Sequence, residues 1–181
     1  DAAHSQNEDR FNGVGCINGL LVLVTTFTER NGSKVVYIHD EKYRNTKKIY
    51  EDGTSEIYLY NKRNLCILST DRNGNTKRMS YDNKGNLTQV IDPSKRKTNF
   101  SYDINNKLLS VSVNGKEYLR NHYDTKGNLI ETIQSDNINK KIINDSEGRP
   151  VSIIQSDGSH INIDYDSKGN IIKLDTSANG E

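Results

Sequence analysis

Tryptophan is absent from this 181-residue chain, methionine occurs once, proline and cysteine twice each, and phenylalanine three times. Neither sign of charge dominates. The 25 basic and 24 acidic residues are interspersed and leave a net charge of +1. No electrostatic footprint for nucleic acid or an anionic lipid surface results, and neither partner is expected. The longest apolar run, Gly19 to Val24, is far too short to span a bilayer, and no charged n-region precedes it as in a signal peptide. The chain reads as soluble, with a leader already removed as an open alternative. Cys16 and Cys66 leave the redox compartment open. They either form a disulfide or, as we prefer, remain two buried thiols, and their spacing fits no metal-binding pattern.

Patterns for catalysis are missing too. Serine and threonine are common, but no histidine and carboxylate pattern accompanies them in a strand-turn-helix context. No glycine-rich stretch opens a helix to cradle phosphate. His4, His39, His122 and His160 are scattered. His160, Asn162 and Asp164 share one strand face, which reads as a weak metal site or, preferably, as a solvated face. Asn-x-Ser/Thr strings at Asn31, Asn86, Asn99 and Asn144 are expected by chance in an asparagine-rich chain and mark exposed backbone. No catalytic residue, cofactor or metal is assigned.

What the chain does have is ten tyrosines with many valines, isoleucines and threonines, residues that suit a half-buried pleated surface. It also repeats itself. YDNKGNL at Tyr81 returns as YDTKGNL at Tyr123 and YDSKGNI at Tyr165. A step of 21 residues connects His39-Asp40, Tyr60-Asn61, Tyr81-Asp82, Tyr102-Asp103, Tyr123-Asp124, Asn144-Asp145 and Tyr165-Asp166, with Asn18-Gly19 as a weaker eighth station. Glycine keeps the same step at Gly85, Gly127, Gly148 and Gly169, with Asn106 in the glycine place of one copy, and in a second register at Gly32, Gly53, Gly74 and Gly158.

The physics of the phrase is that of a turn. Aspartate at the first place accepts local backbone N–H groups, and glycine at the fourth supplies the left-handed residue that completes a hairpin loop. A calcium ladder along Asp82, Asp103, Asp124, Asp145 and Asp166 is the competing reading. Each tip offers one aspartate, however, and a calcium loop needs several oxygens closing on one ion. The strand entering each tip alternates, as in Ile161, Ile163 and Tyr165, so one face is buried. The strand leaving it carries apolar residues three apart, such as Leu87 and Val90. A β-bulge near Thr88 and Gln89, repeated in several copies, would bring Val90 opposite Met79.

Consecutive hairpins predict an all-β chain, one long antiparallel meander of roughly fifteen strands. A sheet beyond about ten strands should curl into an open spiral or half-shell, the tyrosine face inward. Residues 1–17 read as an N-terminal arm, polar from Asp1 to Arg10 and disordered by itself, and residues 18–181 as seven or eight repeats.

Y-D-x-x-G-N-L, then a short strand, a D-x-x-G turn and a strand back to Y-D, resembles the YD repeat of the RHS (rearrangement hotspot) family. The likeness runs from about Thr25 to Leu174 and is carried by Tyr60, Tyr81, Tyr102, Tyr123 and Tyr165. It implies a β-hairpin ribbon wound into a hollow shell, which in large secreted toxins encloses a C-terminal toxin domain. Related repeats occur in wall-associated and cell-surface proteins. The arginine common after the glycine in that family is here mostly asparagine, at Asn86, Asn128 and Asn170, with Arg149 the exception.

The functional expectation is a non-enzymatic structural protein, secreted or at the cell surface. Leu20, Leu21, Val22, Leu23 and Val24 lie in the most apolar segment and are the candidate assembly strand, adding to the edge of another copy by β-augmentation. The competing reading makes Leu20 to Phe27 the first interior strand. The alternatives are a fragment of a toxin-enclosing shell, or a module that binds a surface glycan or protein through its tyrosine column.

Overall fold

The computed structural model describes residues 10–17, 20–28, 32–135 and 138–177, with side chains from residue 22 onward. Among these residues every regular element is a strand. The first part of the chain carries β1 (Arg10–Ile17), β2 (Leu20–Thr28), β3 (Lys34–His39), β4 (Asn45–Tyr50), β5 (Ser55–Tyr60), β6 (Cys66–Thr70), β7 (Thr76–Tyr81) and β8 (Leu87–Ile91). Then follow β9 (Lys97–Tyr102), β10 (Leu108–Val113), β11 (Lys116–Tyr123), β12 (Leu129–Gln134), β13 (Asn139–Asn144), β14 (Pro150–Gln155), β15 (His160–Tyr165) and β16 (Ile171–Ser177). All 16 belong to one open sheet whose order is the chain order, with β1 and β16 at its ends. The chain divides into two compact units, one running to Tyr81 and taking in Gln89–Arg96, the other comprising Asp82–Thr88 and the chain from Lys97.

The turns follow the 21-residue register closely. Gly32, Gly53, Gly74, Gly85, Gly127, Gly148, Gly158 and Gly169 all have positive φ, between 80° and 97°. Asn106 has φ 66° as expected, and Tyr43 and Asn64 fill the same place at 59° and 63°. Asn114 and Gly115 stand outside the register and make a two-residue turn between β10 and β11, φ 49° and 84°. That asparagine-glycine pair is a strong hairpin signal, and it is independent of the 21-residue repeat.

The bulges expected in several repeats are there in six hairpins. Tyr60 pairs with Cys66 but Leu59 with Leu68, leaving Ile67 extra. The same shift passes over Thr46, Leu109, Ile130, Val151 and Ile172. The extra residue therefore recurs at the second position of the returning strand. It restores apolar pairing beyond it, as in Phe100 with Val111, Ile142 with Ile153 and Ile163 with Leu174.

The core of the described sheet is thin. Among the described residues only Val35, Ile38 and Thr25 are buried, all on β2 and β3. Phe27 meets the Tyr37 ring edge-on beside them, centroids 5.2 Å apart. With so little deep burial, stability must come from many similar local contacts between neighbouring repeats.

Leu20–Val24 lie in β2, paired to β1 along their whole length, and Leu23 and Val24 also to β3. On this side the outer edge is β1, formed by the second half of the expected arm. The polar segment of residues 1–9, the Asn18-Gly19 station, the Asn31 string and the last four residues lie outside the described residues.

Candidate functional site

The tyrosines at the repeat stations end the strands that enter each tip, where alternation turns their rings to the half-buried face. Each hydroxyl donates to one backbone carbonyl 15 residues earlier. Tyr60 reaches Asn45 at 3.0 Å, Tyr81 reaches Cys66 at 2.8 Å, and Tyr102 reaches Leu87 at 3.0 Å. Tyr123 reaches Leu108 at 2.9 Å and Tyr165 reaches Pro150 at 2.8 Å. Asn144 stands where a tyrosine is missing, and its amide donates to Leu129 at 3.0 Å.

The accepting carbonyl is that of the first residue of a returning strand, and at Asn45, Cys66, Leu108, Leu129 and Pro150 it lies next to the extra residue of the bulge. A bulge interrupts the sheet ladder at this point, and the phenol supplies a donor there. One residue type thus ties each repeat to its predecessor. Burial raises the titration of Tyr60, Tyr81 and Tyr102, which keeps these hydroxyls protonated as donors.

The tip aspartates are spent on their own turns. At Asp124 the Asn128 N–H donates to Oδ1 at 2.7 Å and the Asn128 side-chain amide to Oδ2 at 2.9 Å. Asp82 receives the same pair from Asn86, and Asp166 from Asn170. At Asp145, Arg149 supplies both its N–H and its guanidinium, 2.9 and 2.7 Å away. The Asp124, Asp145 and Asp166 carboxyls are held below the ordinary carboxylate value. The Asn128 N–H leads at Asp124, the Arg149 N–H at Asp145 and the Asn170 side chain at Asp166.

The residue after the turn glycine carries a second link. Arg44, Lys107 and Arg149 lie over the rings of Tyr60, Tyr123 and Tyr165, the cationic centres 4.8, 5.3 and 4.7 Å from the ring centroids. Asn86 donates to Asn106 of the next tip at 2.9 Å, and Lys107 to the Gly127 carbonyl. This role was legible as a polar or basic residue recurring at that place, although the sequence alone did not give its target.

A cluster the repeat reading did not foresee lies on β4 and β5. Glu56 accepts the hydroxyls of Tyr58 at 2.6 Å and Tyr50 at 3.0 Å, with Lys48 Nζ 3.6 Å away. The Tyr58 bond lowers the Glu56 carboxyl and, in return, the carboxylate raises the Tyr58 phenol. A cleft of about 390 Å³ nearby is lined in part by Tyr50, Asp52 and Arg72. Two of its charges are paired, since Arg72 lies 4.0 Å over the Tyr50 ring and 2.5 Å from Asp52.

His160 and Asn162, two members of the weak metal face, are taken up in the sheet. The His160 ring meets the Ser177 hydroxyl at 2.7 Å and Asn162 accepts from Ser152 at 2.9 Å. Among the described residues no three histidine, cysteine or acidic side chains converge as metal ligands. Cys66 carries a free, half-buried thiol. No helix of the described residues is long and apolar enough to cross a membrane.

Set beside solved structures, the chain is similar to TcdB2-TccC3 without its hypervariable C-terminal region, at 13% identity and a TM-score of 0.62 over 96% of this chain. It is also similar to TcdB2-TccC3-Cdc42, at 16% identity and a TM-score of 0.51 over 97%. At such identities the likeness is one of fold. The chain spans only 11% and 12% of those two chains. A comparison with curated proteins finds no match. The family model described as Teneurin YD-shell matches residues 70–180, and with the tyrosine stations, turn glycines and open meander in place, the chain belongs to the YD-shell family.

Proposed function

We propose that the chain is a structural wall segment of a YD-repeat shell in an exported protein, and that it performs no catalysis itself. The observation that carries this reading is the use of its polar groups. Station tyrosines, tip aspartates and the residues after the turn glycines are spent on each other, repeat to repeat, rather than converging on a substrate. A wall needs that economy. It also needs an edge to continue from, and the small share of the matched chains that this segment spans supports a larger container.

The test is transplantation. Residues 70–180 are placed in a YD-shell protein in exchange for the repeats they match, and the shell is examined by electron microscopy and protease challenge. A closed, protease-resistant shell is expected. Failure to assemble, with the same exchange succeeding for repeats of another shell protein, would remove the reading.

A second reading, head-to-tail self-assembly by β-augmentation, is favoured by one feature: β1 and β16 both end the sheet. The joint would then be β1 of one copy, with Leu20–Val24 supporting it from behind. Light scattering across a concentration series checks this, since a chain that stays monomeric at high concentration excludes it.

A further inference from the structure

The face opposite the station tyrosines changes character along the chain. In the copy that ends at Tyr60, strand alternation puts Ile57 and Leu59 on that face, 38% and 48% exposed. Leu68 stands opposite Leu59 on the returning strand. One repeat onward these three places hold Arg78, Ser80 and Gln89, and two repeats onward Asn99, Ser101 and Ser110. In the copy that ends at Tyr165 they hold Asn162, Asp164 and Lys173, and among all the later copies only Ile143 is apolar there. The hairpins therefore form with polar groups at these places, and pairing does not explain the isoleucine and two leucines.

The apolar patch continues across strands. Val36 stands opposite Ile49, and Ile38 opposite Lys47, which in turn stands opposite Ile57. The tyrosine face of β4–β6 is correspondingly polar, with Lys48, Glu56 and Ser69 beside Tyr50 and Tyr58. An exposed apolar patch of this kind, set against a polar opposite face and bordered by charge, marks a contact surface.

The bordering charges have one sign. Lys47 lies on β4 and Arg78 on β7, where it stands opposite Leu68. No aspartate or glutamate occupies this face from β3 to β7, and among the described residues neither cation is held in an ion pair. A second copy laid on the patch would set these cations against their own kind. A lipid surface is disfavoured too, because this face of β3–β7 carries no tyrosine or tryptophan, the residues that settle a face at a bilayer interface. Lys47 and Arg78 are three strands apart, about 14 Å at ordinary strand spacing. A helix with its side chains is about 10–12 Å across and fits between them.

We propose that this face of β4–β7 is a docking surface for a partner protein, which covers Ile57, Leu59 and Leu68 with an amphipathic helix. Carboxylates along the two sides of that helix meet Lys47 and Arg78. The described residues contribute strands alone, so the helix is the partner's. This goes beyond the wall-segment reading and does not depend on it, since the links between repeats use the opposite face and the turns.

The test uses the full chain and two synthetic peptides of about 18 residues, long enough to be helical, with the same leucine face. One has glutamates along both sides of that face and the other lysines. Binding is followed by NMR and by titration calorimetry at low and high salt. We expect the glutamate peptide to bind at least about tenfold more tightly, to shift the Ile57, Leu59 and Leu68 methyl signals, and to weaken as salt rises. Leu59→Ser with Leu68→Ser, the residue type other copies carry, should remove binding while the circular dichroism remains that of a sheet. Lys47→Glu with Arg78→Glu leaves the apolar patch intact should the serine variant fold poorly, and it should reverse the preference toward the lysine peptide.

Equal binding of the two peptides, or none by either at about 1 mM, overturns the proposal. An unchanged preference in the charge-reversed chain does the same. So does a dimer in light scattering, or sedimentation with phosphatidylglycerol vesicles, that the serine variant abolishes, because a second copy or a lipid surface would then be the occupant.

Discussion

The Tyr123 hydroxyl donates to the Leu108 carbonyl at 2.9 Å, joining the end of one hairpin to the bulge of the hairpin before it. The bond recurs at the same spacing through both units, and it assigns the repeated tyrosine a function: it supplies a donor where the bulge breaks the ladder. Tyr123→Phe keeps the ring and removes the donor, so it should cost about 1 kcal/mol in denaturant unfolding, the net worth of one such bond. Tyr118 is 55% exposed and off the station series. Tyr118→Phe is the control and should shift stability by less than about 0.5 kcal/mol.

His39 occupies a tyrosine station with both ring nitrogens buried and unpaired, and Asn45 directly opposite has its side-chain oxygen in the same condition. His39→Tyr places a phenol where the 15-residue rule aims it at the Val24 carbonyl. It should therefore raise stability by about 1 kcal/mol, read from the urea midpoint. A loss of stability would show that the rule does not extend to the β2–β3 end of the sheet.

Two turn glycines separate backbone strain from packing. Gly53 has φ 80° with open space where a Cβ would stand, whereas Gly148 has φ 83° and a Cβ there would sit 2.5 Å from the Asn128 side-chain oxygen. Gly53→Ala should cost about 1 kcal/mol from the left-handed backbone alone, and Gly148→Ala clearly more. In the reverse direction, Tyr43 has φ 59° and is 77% exposed. Tyr43→Gly should accordingly stabilise, by up to about 1 kcal/mol, as measured by thermal or urea unfolding.

Acid should unfold the chain by a mechanism set in its turns. The folded-state carboxyls of Asp71, Asp124, Asp145 and Asp166 lie below the ordinary 3.8. Their contribution is complete above that value and is lost as pH falls through the lowered folded values, because the unfolded chain then binds protons that the folded chain refuses. Urea midpoints should be nearly flat from about pH 7 to about pH 5 and fall below about pH 4. Asp124→Asn together with Asp166→Asn should flatten that fall while lowering the midpoint at neutral pH.

Much of this architecture could be read from spacing because it is local. A D-x-x-G turn fixes its own backbone, and a strand of alternating residues fixes its own faces, so the turns at Asp82, Asp124 and Asp166 were legible, and at Asp124 and Asp166 the bulges with them. Tyr43, Asn64 and Lys95 also adopt positive φ at turn places, although only Asn64 is a residue type that favours it. There the register of neighbouring repeats overrides local preference. The Glu56, Tyr50 and Tyr58 cluster left no repeating signal, since it occurs once and depends on which side chains β4 and β5 bring together.

The sequence by itself determined the period, the turn residues and the tyrosine-bearing face, because each follows from backbone preferences acting over fewer than about ten residues. Only the tertiary structure decided what the tyrosine is for. Its acceptor lies 15 residues away on the preceding hairpin, and a bond across that distance exists only once two hairpins have paired and the bulge has exposed a carbonyl. The same dependence on neighbours left the His39 ring without a hydrogen-bond partner, since in a repeating sheet each element is completed by the one beside it.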